Sequence, residues 1–315
     1  MNQSGKSSKT GDGGCVKLRA KKTHPNNLWH HIGPIAKEIA KGVAEGWRAS
    51  SLSQTRLLTG FKDLDEMTHG FKKTDLILLA GYPDMGQKEL AYAVAAKIAL
   101  RSRFSVAIFS MVHSKEFITQ KFLASLSSVD RNILSHGHGP TRSFSKVQEA
   151  AKKLSKVGIY LTDEPKMSVD EIVNEAKAVK SKHNVGLIIV DDFQSIFTQE
   201  ETSIDVLGKL RGLARSAEAP VMVVYQARYA EPRKQQHYFD RSDLGELVRF
   251  PDQILNMYRA EYDNPTLENV GKTEILIETR DYSVGYVQLN FIKGFFRFEE
   301  SLEKHFTPTI RLDQP

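Results

Sequence analysis

The chain has 315 residues, of which 40% are hydrophobic and 26% are charged. This composition predicts a soluble globular protein, built as one large domain with an extension or as two small domains. No apolar run approaches the ~18 residues that a membrane-spanning helix needs, and the single cysteine, Cys15, excludes an intramolecular disulfide. Without a secretory segment at its N-terminus, the chain is predicted to be cytoplasmic and to have no membrane partner. The formal net charge of +6 suits a polyanionic partner but does not establish one.

Two segments are predicted ahead of the main domain. Residues 1–23 are rich in glycine, serine and lysine and predict a disordered basic arm. This arm is either a solubilising tail or a weak, salt-sensitive contact to nucleic acid. Residues 24–55 predict a linker with an amphipathic helix, because apolar residues from Leu28 to Trp47 recur at steps of three and four. The apolar face of that helix must dock on its own domain or on a neighbouring subunit.

Strand-like and helical patterns alternate from Thr59 onward. The apolar runs that predict strands are Leu76–Ala80, Val106–Phe109, Ile159–Leu161, Leu187–Val190 and Val221–Tyr225. The helical patterns lie near Lys88–Leu100, Lys115–Leu126, Ser143–Lys156, Ser168–Ser181 and Ile204–Arg215. The alternation predicts an α/β fold with a mostly parallel sheet covered by helices on both faces. Antiparallel strands are then predicted at Glu274–Thr279, Tyr286–Ile292 and Phe295–Phe298, followed by a flexible tail over residues 301–315.

The first predicted strand runs into a glycine-containing loop. Gly81 and Gly86 keep the spacing of the phosphate loop G-x-x-x-x-G-K-[ST], in which Lys reaches the phosphates and a hydroxyl holds Mg²⁺. The next two residues, however, are Gln87 and Lys88. One step along a helix turns a side chain by about 100°, so Lys88 should leave the concave side of the loop. Asp84 adds a negative charge where phosphates would lie. These residues alone favour an ordinary turn between a strand and a helix.

A second signal is the apolar run from Gly186 to Val190, which ends in Asp191 and Asp192. In phosphate-loop NTPases an aspartate at the end of such a strand helps to hold Mg²⁺. Strands also often end in aspartate where a turn begins, so this signal gains weight only beside the loop near Gly81.

The segment Thr59–Gly70, followed by Asp75–Ile77, resembles the opening of the RecA-like C-terminal domain of DnaB-type replicative helicases. Further short similarities follow in the family's order, and residues 56–300 are therefore assigned to this kind of domain. They are Phe109-Ser110, Leu187–Asp191 with Gln194, Pro220–Gln226, Ser242–Leu244, Tyr258–Pro265 and Gly294–Glu299.

The resemblance implies a site for ATP and Mg²⁺, and it also implies that parts of that site are missing. The family's phosphate-loop Lys and Thr correspond to Gln87 and Lys88, and its catalytic Glu corresponds to Val112, which cannot accept a proton. The lysine that accompanies the family's arginine finger corresponds to Glu278.

Three family positions are kept. The resemblance makes Asp191 the residue that would hold Mg²⁺, Gln226 the polar sensor and Arg280 the arginine finger offered to the adjacent subunit. Each has a structural alternative. Asp191 could cap a turn, Gln226 could satisfy backbone groups at a strand end, and Arg280 could pair with Asp281 or Glu278.

The DNA-facing segments differ from the family as well. The stretch Phe197–Glu201 is acidic, and like charge repels phosphates. A second, basic loop offers four candidates for contact with DNA, unless it is simply a solvated face. They are Arg228, Arg233, Lys234 and Arg241.

The sequence therefore predicts a DnaB-helicase-like pseudoenzyme, a non-catalytic binding or regulatory factor in DNA replication or maintenance. Its predicted partners are further copies of itself or a related replicative helicase, and single-stranded DNA is a candidate ligand. Two alternatives stay open. One is an active ATP-dependent replicative helicase that uses ATP and Mg²⁺, in which Lys88 or Lys115 supplies the missing charge. The other is a protein-interaction scaffold unrelated to DNA.

Overall fold

The computed structural model describes residues 56–137, 139–196, 198, 200–227, 241–279 and 283–301, without the side chains of residues 241–243 and 283–284. The chain divides after Arg48, and all described residues belong to the unit Ala49–Pro315. The arm predicted at residues 1–23, the linker helix predicted at 24–55 and all but the first residue of the predicted tail lie outside the described residues.

The described part opens with a small antiparallel pair, β1 (Arg56–Leu57) and β2 (Phe71–Lys72), which flanks helix α1 (Lys62–Thr68). Asp65 fixes the start of this helix, because its carboxylate accepts hydrogen bonds from the Thr59 amide (2.6 Å), the Thr59 hydroxyl (2.7 Å) and the Gly60 amide (3.0 Å). The opening motif of the sequence resemblance therefore has a structural role, because Asp65 ties Thr59 and Gly60 to helix α1.

Nine strands form the main sheet. In chain order they are β3 (Leu76–Gly81), β4 (Ser105–Ser110), β5 (Ile159–Thr162), β6 (Val185–Asp191), β7 (Val221–Gln226), β8 (Gln253–Tyr258), β9 (Lys272–Thr279), β10 (Ser283–Ile292) and β11 (Arg297–Glu300). Their order across the sheet is β11-β10-β9-β8-β3-β7-β6-β4-β5. The six strands from β8 to β5 are parallel, and β9, β10 and β11 pair antiparallel.

The helices of the described part alternate with the parallel strands. They are α2 (Gln87–Arg101), α3 (Lys115–Ser127), α4 (Arg131–His136), α5 (Thr141–Leu154), α6 (Val169–Lys182) and α7 (Ser203–Ala217). Helices α6 and α7 each begin with a reciprocal capping box, formed by Ser168 with Glu171 and by Thr202 with Asp205. Every residue of β3 and β6 is buried. Both faces of the sheet are therefore covered, which accounts for the continuous apolar runs in these strands. None of the described helices is both long enough and apolar enough to cross a membrane.

The predicted fold class is confirmed, with two corrections to the elements. Strand β8 was not predicted, because Gln253 and Asn256 interrupt its apolar pattern, yet both are buried between neighbouring strands. The strand predicted at Phe295–Phe298 begins only at Arg297. A 3₁₀ turn occupies Lys293–Phe295, and Phe296 has the left-handed φ of 49°, which no strand residue adopts.

Candidate functional site

Four parallel strands end in the residues that form the candidate site. Gly81 ends β3, Ser110 ends β4, Asp191 ends β6 and Gln226 ends β7. Gly81 is the register partner of Gln226, and Ser110 is the register partner of Asp191. Ligands of open parallel sheets bind outside these carboxyl ends. The sequence positions that pointed to a nucleotide site therefore lie together at the carboxyl ends of neighbouring strands.

The glycine loop joins β3 to helix α2, and the Gln87 side chain folds back into it. The Gln87 side-chain amide donates to the Tyr82 carbonyl oxygen at 2.8 Å, and Gln87 is only 2% exposed. A Cβ added to Gly81 would lie 2.8 Å from the same amide nitrogen. Gly86 has φ 94°, and a Cβ there would meet the Phe298 ring at 3.3 Å. A neutral amide thus lies against the base of the loop, and both glycines are required by space or by backbone conformation.

Lys88 points to the acids at the end of β6. Its ammonium nitrogen lies 3.3 Å from Asp191 Oδ1 and 3.2 Å from Asp192 Oδ2, and the residue is 8% exposed. Asp192 has φ 82°, an uncommon conformation for a residue with a side chain. Since Asp191 is fully buried, the ammonium supplies the positive charge that a buried carboxylate requires.

The Asp191 carboxylate has further partners. Its Oδ2 accepts a hydrogen bond from the Tyr92 hydroxyl and lies 3.5 Å from the Ser110 hydroxyl. Oδ1 lies beside the Lys88 ammonium but has no well-directed donor in the described part of the chain. Lys88 therefore acts on Oδ1 by charge rather than by a hydrogen bond. Burial and the Asp191 charge raise the pKa of Tyr92, so the phenol stays protonated and remains the donor.

Arg259, directly after β8, supports the loop from the other side. Its Nη1 donates to the Asp84 carbonyl oxygen at 3.5 Å, and Glu261 binds the other end of the guanidinium. The guanidinium carbon lies 5.0 Å from the centre of the Tyr262 ring and 4.7 Å from that of Phe291. Burial lowers the pKa of Arg259, but an arginine stays charged in proteins.

The position that the resemblance assigns to the family's catalytic Glu, Val112, lies in the turn after β4. Val112 is 51% exposed there. The next residue, His113, binds the Ser110 hydroxyl through its main-chain N–H at 3.2 Å. Burial, followed by the positive charges of Lys88 and Lys121, lowers the pKa of His113 and favours the neutral imidazole.

The other predicted residues fall into two groups. The main chain of Gln226 forms a two-way pair with the Gln194 amide, at 2.6 Å and 3.3 Å, and Glu278 is buried on β9. Arg280, Arg228, Arg233, Lys234 and the Arg241 side chain lie outside the described residues. Their roles stay predictions.

Three residues of the site were not predicted as site residues, namely Tyr92, Ser110 and Arg259, although Ser110 and Arg259 lie in segments that resemble the family. A signal existed for Tyr92, because it lies four residues after Lys88 and residues at this spacing share a helix face. The resemblance over Tyr258–Pro265 gave Arg259 no role, since its place beside the loop depends on the pairing of β8 with β3.

The donor set does not fit Mg²⁺ as it stands. Mg²⁺ requires near-octahedral oxygen ligands at about 2.0–2.1 Å, whereas the position of the hydroxyl ligand holds Lys88. The Lys88 ammonium lies against the one buried acid that would hold the metal. Nowhere in the described ranges do three His, Cys, Asp or Glu residues cluster in a way that could bind a metal ion.

A mostly parallel sheet with a glycine loop after one strand and a buried acid after another defines the class of a RecA-like α/β domain. Within that class the chain belongs to the DnaB-like helicase family, because residues 57–300 match the DnaB-like helicase C terminal domain. A solved ATPase domain is similar to this chain with a TM-score of 0.74 at 22% identity. The similarity covers 87% of this chain and 99% of that domain. The structure of a DnaB-like replicative helicase, determined with its interactions with primase, also has a TM-score of 0.74. At 20% identity it covers 88% of this chain and 68% of that one.

Sequence relatives agree with the family assignment. The replicative DNA helicase DnaB of Geobacillus stearothermophilus is 32% identical over 264 residues, which are 80% of this chain and 58% of that protein. The replicative DNA helicase DnaC of Bacillus subtilis (strain 168) is 31% identical with the same coverage. The chain thus spans a little over half the length of these curated relatives.

Proposed function

We propose that this chain is a non-catalytic member of the DnaB-like family, a binding or regulatory factor in DNA replication or maintenance. One observation carries the proposal. The side chain at the position of the family's Mg²⁺ ligand is a lysine, and its ammonium is paired with Asp191 and Asp192.

The charges around the loop support this interpretation. Phosphoryl transfer depends on positive charge that stabilises the transferring group. Near the loop, one Lys88 ammonium faces two carboxylates, the Arg259 guanidinium is bound by Glu261 and Gln87 is neutral. Asp84 is exposed within the loop and adds a further negative charge. Val112 offers no base for the attacking water.

The alternative of an active helicase gains no support from the two candidate lysines. Lys88 is paired with the buried acids. Lys115 lies at the surface with its ammonium 3.4 Å from Asp163 and 3.7 Å from Glu116. Neither ammonium is available to a phosphate without breaking an existing ion pair.

The partners that we propose are further copies of this chain or a related replicative helicase, with single-stranded DNA as a candidate ligand. A retained RecA-like domain without ATP turnover keeps surfaces through which such domains meet, while its contribution to the chemistry is lost. As a regulator it would change the turnover of an active DnaB-type helicase in a mixture.

Steady-state ATPase assays with and without single-stranded DNA test the catalytic part of the proposal. We expect no turnover above that of the variant Asp191→Asn. A DNA-stimulated rate that Asp191→Asn abolishes would make the chain an active enzyme and refute the proposal.

The regulatory part needs its own test. The chain is titrated into an active DnaB-type helicase while helicase turnover and complex formation are followed by ATPase assay and sedimentation. A changed rate with a co-sedimenting complex supports regulation. No complex and no effect, together with no binding of single-stranded DNA, would leave the scaffold unrelated to DNA as the better description.

A further inference from the structure

We propose that the Lys88 ammonium is a built-in cation that replaces the divalent metal ion at Asp191, so that the site is complete without metal or nucleotide. This inference concerns the same site as the proposed function and rests on its assignment, but it makes a separate claim about how the site is held together.

The first step is the burial of Asp191. Its side chain is fully buried, and a bare carboxylate in such a place would be strongly unfavourable. The Tyr92 and Ser110 hydroxyls are neutral. The Lys88 ammonium is the cation that contacts this carboxylate within the described part of the chain, and a compact point charge on a flexible stem is suited to that task.

The Lys88 ammonium bridges the carboxylates of Asp191 and Asp192. The same ammonium lies within 3.3 Å of Asp191 and within 3.2 Å of Asp192, and it thus holds two successive carboxylates as a metal ion could. Asp192 has the left-handed φ of 82° and lies directly before the turn Phe193–Ser195. Lys88 and Tyr92 lie one turn apart on α2 and both reach the end of β6. Both contacts to the end of β6 thus come from the chain itself.

The variant Lys88→Thr tests the replacement, because it restores a metal ligand and removes the ammonium together. In EDTA we expect its melting temperature to fall by roughly 10 °C, as a buried charge loses its partner. Saturating Mn²⁺ should then raise the melting temperature by about 5 °C or more, whereas the wild-type chain should not respond. The double variant Lys88→Thr, Asp191→Asn should lose the response to Mn²⁺.

Lys121→Met is the matched control. Lys121 is also buried and paired, with its ammonium 2.7 Å from Glu89, so its loss should lower the melting temperature without creating a response to Mn²⁺. A wild-type chain that binds Mn²⁺ as tightly as Lys88→Thr would overturn the inference. So would a Lys88→Thr variant that gains no Mn²⁺ binding.

A measurement on the wild-type chain keeps the inference testable if Lys88→Thr does not fold. Acetylation of lysines is followed by mass spectrometry, with the exposed Lys115 as reference. We expect Lys88 to be protected equally in EDTA and in Mg²⁺ with ATP. Labelling of Lys88 that increases with Mg²⁺ would mean that the metal displaces the ammonium, and would refute the inference. ATP turnover is measured separately. If Lys88→Thr gains no Mn²⁺ binding, or if Mg²⁺ increases the labelling of Lys88, the proposal that the chain is non-catalytic is not affected.

Discussion

The double substitution Gln87→Lys with Lys88→Thr should convert the loop into one that binds nucleotide. The changes remove one buried hydrogen bond, from Gln87 to the Tyr82 carbonyl at 2.8 Å, which is worth about 1 kcal/mol. They also remove the ammonium from the fully buried Asp191, a loss of about 3–5 kcal/mol when one partner of a buried pair is deleted. Without ligand, the variant should therefore be about 4–6 kcal/mol less stable, a large share of the 5–15 kcal/mol typical of a folded domain.

Ligand should recover about half of that loss. A non-hydrolysable ATP analogue with Mg²⁺ at about 100 times its dissociation constant contributes about 2.7 kcal/mol. This corresponds to a rise of about 5–10 °C in melting temperature for a domain of this size. Differential scanning fluorimetry and isothermal titration measure both effects, and the wild-type chain should show neither. Turnover should stay absent until Val112→Glu adds a base, at little cost in stability because Val112 is half exposed.

The control Gln87→Met with Lys88→Met removes the same polar groups without building a loop lysine or a metal ligand. It should be destabilised but unresponsive to nucleotide. Two results would refute the reasoning. One is tight nucleotide binding by the wild-type chain. The other is a triple variant with Val112→Glu that still binds nothing, since the loop backbone would then have departed from a nucleotide-binding geometry.

Two further predictions concern pH and assembly. The folded chain lowers the pKa of His113 below its ordinary 6.5, so the unfolded chain binds the proton first as pH falls. The contribution of the neutral His113 to the free energy of unfolding is therefore complete above about pH 7 and declines below about pH 6.5. His113→Asn should flatten the fall in melting temperature between about pH 7 and pH 5, and an unchanged profile would contradict this. A chain that begins at Ser51 should lose the self-association that the full-length chain shows in sedimentation experiments, because it lacks the apolar stripe from Leu28 to Trp47. If the full-length and shortened chains are both monomeric, this segment folds back on its own chain.

Much of the fold could be predicted because parallel strands buried on both faces leave continuous apolar runs. Strands β3 and β6 are such runs, and both were located within one or two residues of their ends. Strand β8 could not be found in this way. Gln253 and Asn256 are polar, and their burial follows from the pairing of β8 with β3 and β9, which a local pattern does not contain. Strand β11 begins only at Arg297, because Phe296 before it has a left-handed φ of 49°, which the apolar pattern does not indicate.

The site was predictable in outline but not in its contacts. The spacing of Gly81 and Gly86 and the acid after an apolar run are local signals, and they locate the loop and Asp191. Helix rotation predicts only that Lys88 should leave the concave side of the loop. Where its ammonium goes depends on a partner about a hundred residues away in sequence. The same holds for Arg259. It follows β8, which pairs with β3 on the side away from β7 and β6, and it reaches the loop from that side.

The position of Lys88 explains how a catalytic site of this kind could lose its metal without losing its fold. A buried Asp191 needs a cation, so removal of the metal ligand alone would leave a carboxylate stranded in the core. Lysine at that position removes the hydroxyl and supplies the replacement charge in one step, and Tyr92 adds a donor one helical turn later. If the loop binds no phosphate, position 87 does not need a positive charge. The neutral Gln87 can then donate a hydrogen bond to the Tyr82 carbonyl oxygen within the loop. On the proposed function, the loss of catalysis and the retention of Asp191 would thus follow from the same substitution.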